Sequence, residues 1–151
     1  MKRHQALIPL AHDHHHALAQ VRRLSLAAKA NEQARLRQGR EFLSFFDSDT
    51  TAHFTEEEDV VLPLVANVAS LGEHVERTLR EHSTIRSLVE SLRAELKSGV
   101  PLVHTMEELA SAMRAHIRFE EKVLFPVIEE LVPDQLSSVV LAMRVREKVK
   151  S

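Results

Sequence analysis

The amino-acid sequence predicts an all-α fold: an up-down-up-down four-helix bundle with a short C-terminal fifth helix. Apolar residues recur at intervals of three and four through nearly the whole chain, which is typical of amphipathic helices. Only 3 glycines and 5 prolines occur among 151 residues, too few for a turn-rich β protein. The breaks between the periodic segments are short, and short connections favour antiparallel neighbours. We expect one domain over residues 1–151, because this length suits a single core.

Each long helix is predicted from one stripe of core-facing residues. Histidine and glutamate interrupt these largely apolar stripes, which marks the interruptions as candidate functional positions. The four stripes are Leu7, Leu10, His14, Ala17, Val21, Leu24 and Ala28; Leu36, Leu43, Phe46, Thr50, His53, Glu57, Val60 and Leu64; Val75, His82, Ile85, Val89, Leu92 and Leu96; and Leu109, Ala112, His116, Glu120, Val123 and Val127.

The helix boundaries are predicted from turn and capping residues. The breaks fall at Asn31 and Glu32, at Ser70, Leu71 and Gly72, and at Gly99 and Pro101. The fifth helix is expected to begin at Pro133 and Asp134 and to carry Leu136, Val139, Val140 and Met143 on one face.

Composition excludes several classes of function. The net charge of −2 gives no basic field for nucleic acid or for an anionic membrane surface, so we expect neither partner. No continuous apolar segment is long enough to cross a bilayer, and we expect a cytoplasmic protein. The absence of cysteine excludes disulfides, thiolate metal sites and iron–sulfur clusters, and the absence of tyrosine excludes a phenolate ligand. Histidine, in contrast, occurs 10 times.

A duplicated motif is the strongest functional signal in the chain. His53 and Glu57 are four residues apart, as are His116 and Glu120, and in both copies a second glutamate and a later proline keep the same offsets. Positions i and i+4 lie on one face of a helix, so each copy directs an imidazole and a carboxylate the same way. Two ligands of one metal centre require this arrangement.

The depth of the histidines in the bundle supports convergence on one layer. In antiparallel helices, residues equidistant from the turn lie at the same level. The midpoints between His14 and His53, between His53 and His82, and between His82 and His116 all fall at or near predicted turns. Four histidines from four helices are therefore expected to meet in the core.

The chain resembles the hemerythrin family, including its bacterial HHE cation-binding members, from about Leu10 to Leu131. The resemblance lies in the two His-x3-Glu-Glu blocks with their downstream Leu-Pro or Phe-Pro, in Glu81-His82, and in Asp13-His14. It implies two iron ions bridged by both carboxylates and an oxygen species. The implied ligands are His14, His53, Glu57, His82, His116 and Glu120. Helical register favours His14 over the adjacent His15, which stays open as the first-helix ligand.

The donor chemistry agrees with this resemblance. Imidazole and carboxylate suit iron, with manganese or zinc as substitutes. Glutamates on core stripes would be very costly to bury without a compensating cation. We expect His12 and His16 to form a solvated pair on another face of the first helix. His4, His74 and His104 are expected at the surface, and Glu56, Glu58 and Glu121 to orient ligands or to be solvated.

One departure from the family concerns the third helix. Oxygen-carrying hemerythrins have a second histidine there, one turn from the first, but the two flanking positions here are Thr78 and Arg86. Three explanations stay open: one iron has an extra open position, another group fills it, or the site is mononuclear. Reversible oxygen carriage is less favoured as a result.

Pro63 and Pro126 each follow a motif histidine by ten residues. A proline inside a helix frees a carbonyl and bends the axis, which would open one end of the bundle beyond the site. The alternative is that both helices are simply close to their ends.

Three functions remain as hypotheses. The leading one is a non-haem diiron protein that binds or senses O2 or NO, or handles iron. The second is a diiron oxidoreductase that turns over peroxide or NO, and it requires an access route and a proton donor. The third is a metal-free helical interaction module, which the buried carboxylates disfavour. The oligomeric state, monomer or homodimer, is left open.

Overall fold

A computed structural model of the chain describes residues 3–138 and confirms the all-α bundle. Helix α1 spans Ile8–Ala28 and α3 spans Gly72–Ser98. Helix α2 covers residues 32–65 and is α-helical over Glu32–Phe45, Thr51–Glu56 and Leu62–Val65. Helix α4 covers residues 103–131, with α-helical parts Val103–Phe119 and Phe125–Leu131. A fifth helix, α5, begins at residue 133 and is described to residue 138.

The helix ends follow the predicted breaks. The Asn31 side chain caps α2 by accepting a hydrogen bond of 2.8 Å from the Ala34 N–H. Gly99 follows α3 with φ of 155°, a conformation that residues with side chains rarely adopt. Among the residues described here, no helix is long and apolar enough to cross a membrane.

The four long helices pack in a closed order, each against the next and α4 against α1. Their apolar faces form two separate core clusters. The cluster we call the upper core includes Val21, Phe42, Val89 and Leu109. The cluster we call the lower core includes Leu7, Leu10, Val65, Phe125 and Leu136. The predicted histidines and glutamates lie between these two clusters along each helix, so a polar layer divides the core.

Three π-helical turns interrupt the α-helical pattern, at Phe46–Thr50, Glu57–Val61 and Glu120–Leu124. The last two begin at the motif glutamates, and in both the residue before the proline donates its backbone N–H to the glutamate carbonyl five positions earlier. Each turn holds one extra residue, so residues beyond it are rotated relative to a continuous α-helix.

Because of these turns, the core-facing positions predicted for the last parts of α2 and α4 are wrong by one residue. On α2 the structure buries Val61 and Val65, whereas Val60 and Leu64 are only partly buried. On α4 it buries Leu124, whereas Val123 is exposed. The physical reason is that a π-helical turn maintains one face with steps of four residues, where an α-helix alternates steps of three and four.

The two prolines follow the π-helical turns directly. The helices continue through Pro63 and Pro126, which stand in the first turn of the next α-helical part. The end of the bundle beyond them is filled by the lower core. The interpretation in which they open this end is therefore not supported. In α5, Leu136 is buried as predicted, while Val139, Val140 and Met143 lie outside the described residues.

Candidate metal centre

The six predicted ligands lie together in the polar layer between the two cores. All are 0–4% exposed, and every long helix contributes at least one of them. Helices α1 and α3 each supply one histidine, while α2 and α4 each supply a histidine and a glutamate from the repeated motif. The six residues are His14, His53, Glu57, His82, His116 and Glu120. His15 is exposed, so the structure brings His14 and not its neighbour into the layer.

The six residues form two overlapping groups of four. One group contains His14 and His53, the other contains His82 and His116, and both contain Glu57 and Glu120. Within each group the ligand atoms lie within 4.8 Å of one another. The ring centroids of His14 and His53 are 4.8 Å apart, and those of His82 and His116 are 4.9 Å apart. Two histidines therefore lie on each side of two shared carboxylates.

The inner atoms of the repeated motif have no hydrogen-bond partner among the described residues. His53 Nε2, Glu57 Oε2, His116 Nε2 and Glu120 Oε2 are all buried and unpaired. His53 Nε2 lies 3.3 Å from Glu57 Oε2, and His116 Nε2 lies 3.2 Å from Glu120 Oε2, but neither pair is aligned for a hydrogen bond. Unpaired buried polar atoms are costly and rare. A cation bound among them would remove this cost, so the donor set fits a metal.

The outer nitrogen of each histidine is hydrogen-bonded to a carboxylate on a neighbouring helix. Asp13 on α1 holds Nδ1 of His53 at 3.0 Å, and Glu58 on α2 holds Nδ1 of His82 at 2.6 Å. Glu81 on α3 holds Nδ1 of His116 at 2.7 Å, and Glu121 on α4 holds Nδ1 of His14 at 2.7 Å. The four links form a closed ring, which we call the carboxylate ring. Each carboxylate fixes an imidazole so that its Nε2 faces the centre.

Among the described residues, arginines bind Glu58, Glu81 and Glu121 of the carboxylate ring. Arg3 binds Glu121 at 3.2 Å, Arg77 binds Glu81 at 2.9 Å, and Arg86 binds Glu58 at 2.8 Å. Each arginine also lies over a phenylalanine ring, namely Phe125, Phe119 and Phe54 respectively. The Phe54 ring stacks in turn on His82, with centroids 3.8 Å apart. The imidazoles are thus held by charge and by packing.

The electrostatics of the layer favour charged histidine and charged glutamate in the metal-free chain. Burial opposes the charged imidazole of His116, but the nearby negative charge of Glu120 and the hydrogen bond to Glu81 together outweigh it and raise the pKa of His116 to about 10. The pKa of His53 is also raised, because the charge of Glu57 and the interactions with Asp13 and Glu120 together outweigh burial. Burial would raise the pKa of Glu120, yet the charge of His116 and the surrounding hydrogen bonds hold it well below its usual range. A metal binding here would therefore displace protons from the histidines.

Other residues singled out from the sequence lie away from the centre. His12 and His16 form an exposed pair with their Nε2 atoms 3.3 Å apart, and His104 is exposed. His4 caps the short helical turn before α1, and His74 is half-buried against Phe119. Thr78 is fully buried and donates its hydroxyl to the His74 carbonyl at 2.8 Å. Arg86 reaches Glu58 instead of the centre.

Sequence reasoning missed the roles of Asp13 and Glu81 as histidine partners. Both precede a core histidine directly in the chain, and this adjacency is the signal that could have identified them. Sequence reasoning also missed a small cavity beside the candidate metal centre. Within this cavity, the midpoint of a water-sized molecule can occupy a volume of about 20 Å³. His14, His53, His116 and Thr50 are among the residues that line this cavity.

The chain was compared with known protein families, with curated proteins and with solved structures. Residues 7–128 match the family model described as hemerythrin HHE cation binding domain. Neither the curated proteins nor the solved structures gave a significant match.

Proposed function

Since this chain belongs to the hemerythrin HHE cation-binding domain family, we propose that it is a non-haem diiron protein that binds or senses O2 or NO, or handles iron. The observation that carries this proposal is the sharing of Glu57 and Glu120 by two groups of four buried ligands. A single ion would not need both pairs of histidines.

The residues divide between the two ions according to these groups. His14 and His53 would hold one ion, His82 and His116 the other, and the two glutamates would lie between them. Imidazole and carboxylate donors suit iron, and manganese or zinc would be accepted by the same set. When bound, two irons would supply a redox-active centre with affinity for small molecules. The protein's own part is to hold the imidazoles in place through the carboxylate ring and to limit access.

The size of the cavity supports a small ligand. The space of about 20 Å³ that is available to the centre of a water-sized molecule accommodates a ligand of a few atoms. The cavity also meets one requirement of the alternative function, a diiron oxidoreductase acting on peroxide or NO, because it provides access. The titratable residues among its lining side chains are the centre histidines, Asp13, which holds His53, and His16 and Asp49. Turnover needs a proton donor beside the ligand. The centre histidines would hold the metal, Asp13 holds His53, and His16 and Asp49 lie towards the surface, so we favour binding over turnover.

The test is iron reconstitution under anaerobic conditions, followed by elemental analysis and optical spectra before and after O2 or NO is added. We expect two irons per chain and a spectral change with at least one of the gases. The double variant Glu57→Gln with Glu120→Gln should lose both irons. At most one tightly bound iron in the wild type would exclude the dinuclear site, and no bound metal would support the metal-free interaction module instead.

A further inference from the structure

The small cavity beside the candidate metal centre lies on the upper-core side of the polar layer. Its walls away from the histidines are largely apolar and include Ala17, Phe45, Met113 and Ile117. His16, which is exposed, and the partly exposed Asp49 also line it, so it reaches the surface between α1 and α2. A molecule entering here would contact His14, His53 and His116 as well as apolar side chains.

The Thr50 side chain lines this cavity and has a hydroxyl group that is not used in a hydrogen bond within the described residues. Thr50 is 5% exposed. A buried hydroxyl without a partner is costly. It is also unusual in a helix, where a threonine hydroxyl commonly bonds a carbonyl in the preceding turn.

The π-helical turn Phe46–Thr50 explains why this hydroxyl is unpaired. The carbonyl four residues before Thr50 belongs to Phe46. The backbone N–H of Thr51 donates to that carbonyl, and the Thr51 hydroxyl also donates to it at 3.0 Å. The local backbone thus leaves Thr50 without its ordinary acceptor.

Thr50 lies one turn before His53 on α2, and positions i and i+3 share a helix face. We propose that the Thr50 hydroxyl donates a hydrogen bond to the small ligand that occupies this cavity next to the metal centre. The ligand class is a molecule of two or three atoms with an acceptor lone pair, because the space is small and the walls are apolar. The inference rests on the proposed diiron function and makes Thr50 a positioning residue for the ligand.

The experiment uses the iron-reconstituted, oxidised protein with azide as the probe. Iron content is measured for the wild type and for Thr50→Val, Thr50→Ser and Thr78→Val. Azide affinity is then obtained from optical titration, and the stretching frequency of bound azide from infrared spectra. Thr78→Val is the matched control, because Thr78 is a buried threonine whose hydroxyl already bonds the His74 carbonyl and which does not line the cavity.

We expect Thr50→Val to weaken azide binding about tenfold at unchanged iron content, as for the loss of one good hydrogen bond. The azide stretch should shift in this variant, while Thr50→Ser and Thr78→Val should match the wild type. The metal-free Thr50→Val protein should melt no lower than the wild type, because the change removes an unpaired buried hydroxyl.

Three results would overturn the inference and leave the diiron proposal standing. One is an unchanged azide affinity in Thr50→Val, and another is an equal loss of affinity in Thr78→Val, which would indicate a packing effect. The third is a loss of iron from Thr50→Val, which would assign the hydroxyl to the metal. A wild type that takes up no iron would instead remove the proposed function, and the inference with it.

Discussion

Glu81 accepts a hydrogen bond of 2.7 Å from Nδ1 of His116, although its neighbour in the chain is His82. The carboxylate that precedes a histidine on α3 therefore orients a histidine on α4. Every link of the carboxylate ring likewise joins a carboxylate on one helix to a histidine on a neighbouring helix. Every candidate ligand histidine is therefore oriented by a neighbouring helix. The precision of the centre thus depends on how adjacent helices are rotated against each other.

The ring carboxylates should contribute to metal affinity without touching the metal. Glu81→Gln removes the charge that holds the His116 proton on Nδ1, and we expect Fe(II) affinity to fall about 10–100-fold. Competition with a chelator measures this affinity. Glu76→Gln, at an exposed position of the same helix, is the control and should bind like the wild type. Equal affinity of Glu81→Gln and the wild type would show that the link is not needed for binding.

Metal binding should stabilise the native state through Glu57 and Glu120. At a free Fe(II) concentration of about 100 times Kd, one site adds about 2.7 kcal/mol to the free energy of unfolding. Thermal melts with and without Fe(II) should show this rise in Tm for the wild type and not for the Glu57→Gln, Glu120→Gln double variant. Glu41→Gln with Glu107→Gln removes the same charge from exposed positions and should keep the rise. A double Glu57/Glu120 variant that gains as much as the wild type would show that these carboxylates are not ligands.

The stability of the metal-free protein should depend on pH in a specific direction. The pKa of His116 is raised from 6.5 to about 10, so its contribution is complete below pH 6.5 and is lost as pH rises towards 10. The pKa of Glu120 is lowered from 4.5, so its contribution is lost as pH falls below that value. We expect maximum stability between these limits and an alkaline loss on the order of a few kcal/mol.

Urea unfolding of the metal-free protein across this pH range measures the effect. His116→Gln should flatten the alkaline side of the profile, while His104→Gln, at an exposed position, should leave it unchanged. Stability that rises from pH 6.5 to 10 would have the wrong sign for a charged His116. Because iron must displace the histidine protons, iron affinity should increase with pH over the same range.

The missing third-helix histidine can be tested at two positions that the structure separates. Thr78 is fully buried one turn from His82, whereas the Arg86 side chain is 42% exposed and bound to Glu58. Thr78→His should therefore place an additional imidazole near the centre and slow air oxidation of the diferrous protein. Arg86→His should instead resemble Arg86→Ala, since both remove the support of Glu58.

Stopped-flow absorbance after mixing with O2 measures the oxidation rate, and iron analysis checks that the larger side chain is tolerated in the core. Slower oxidation in Arg86→His than in Arg86→Ala would place the additional ligand position at residue 86. A wild type that already forms a stable, reversible oxygen adduct would contradict the importance of the missing histidine.

The sequence predicted the fold and the residues of the polar layer because both depend on periodic patterns. The repeated His-x3-Glu spacing identified His53, Glu57, His116 and Glu120, and the distances from the turns brought in His82. The π-helical turns were not predicted, because apolar residues occupy both alternative positions, as at Val60 and Val61. For this reason Val60 was predicted to face the core, where the structure buries Val61.

The cross-helix partners were less predictable for a related reason. The partnership of Glu81 with His116 depends on helix rotation, which spacing along one helix does not determine. Thr50 was placed correctly on a core stripe, but its unpaired hydroxyl is a consequence of a π-helical turn. Local pattern thus determines which residues face inward, and backbone irregularities determine which of their atoms remain free.

The polar layer has a consequence for how the molecule opens. It separates the upper and lower cores, so in the metal-free protein the two apolar clusters are joined by hydrogen bonds and by the helices that run through both. The two ends of the bundle can then exchange their amide hydrogens with different opening free energies, as separate cooperative units. An ion held by residues from all four helices would couple the two ends, so that they open as one cooperative unit. Amide exchange at Leu10 and at Leu109 would then give the same opening free energy, and this agreement would indicate that the metal is bound.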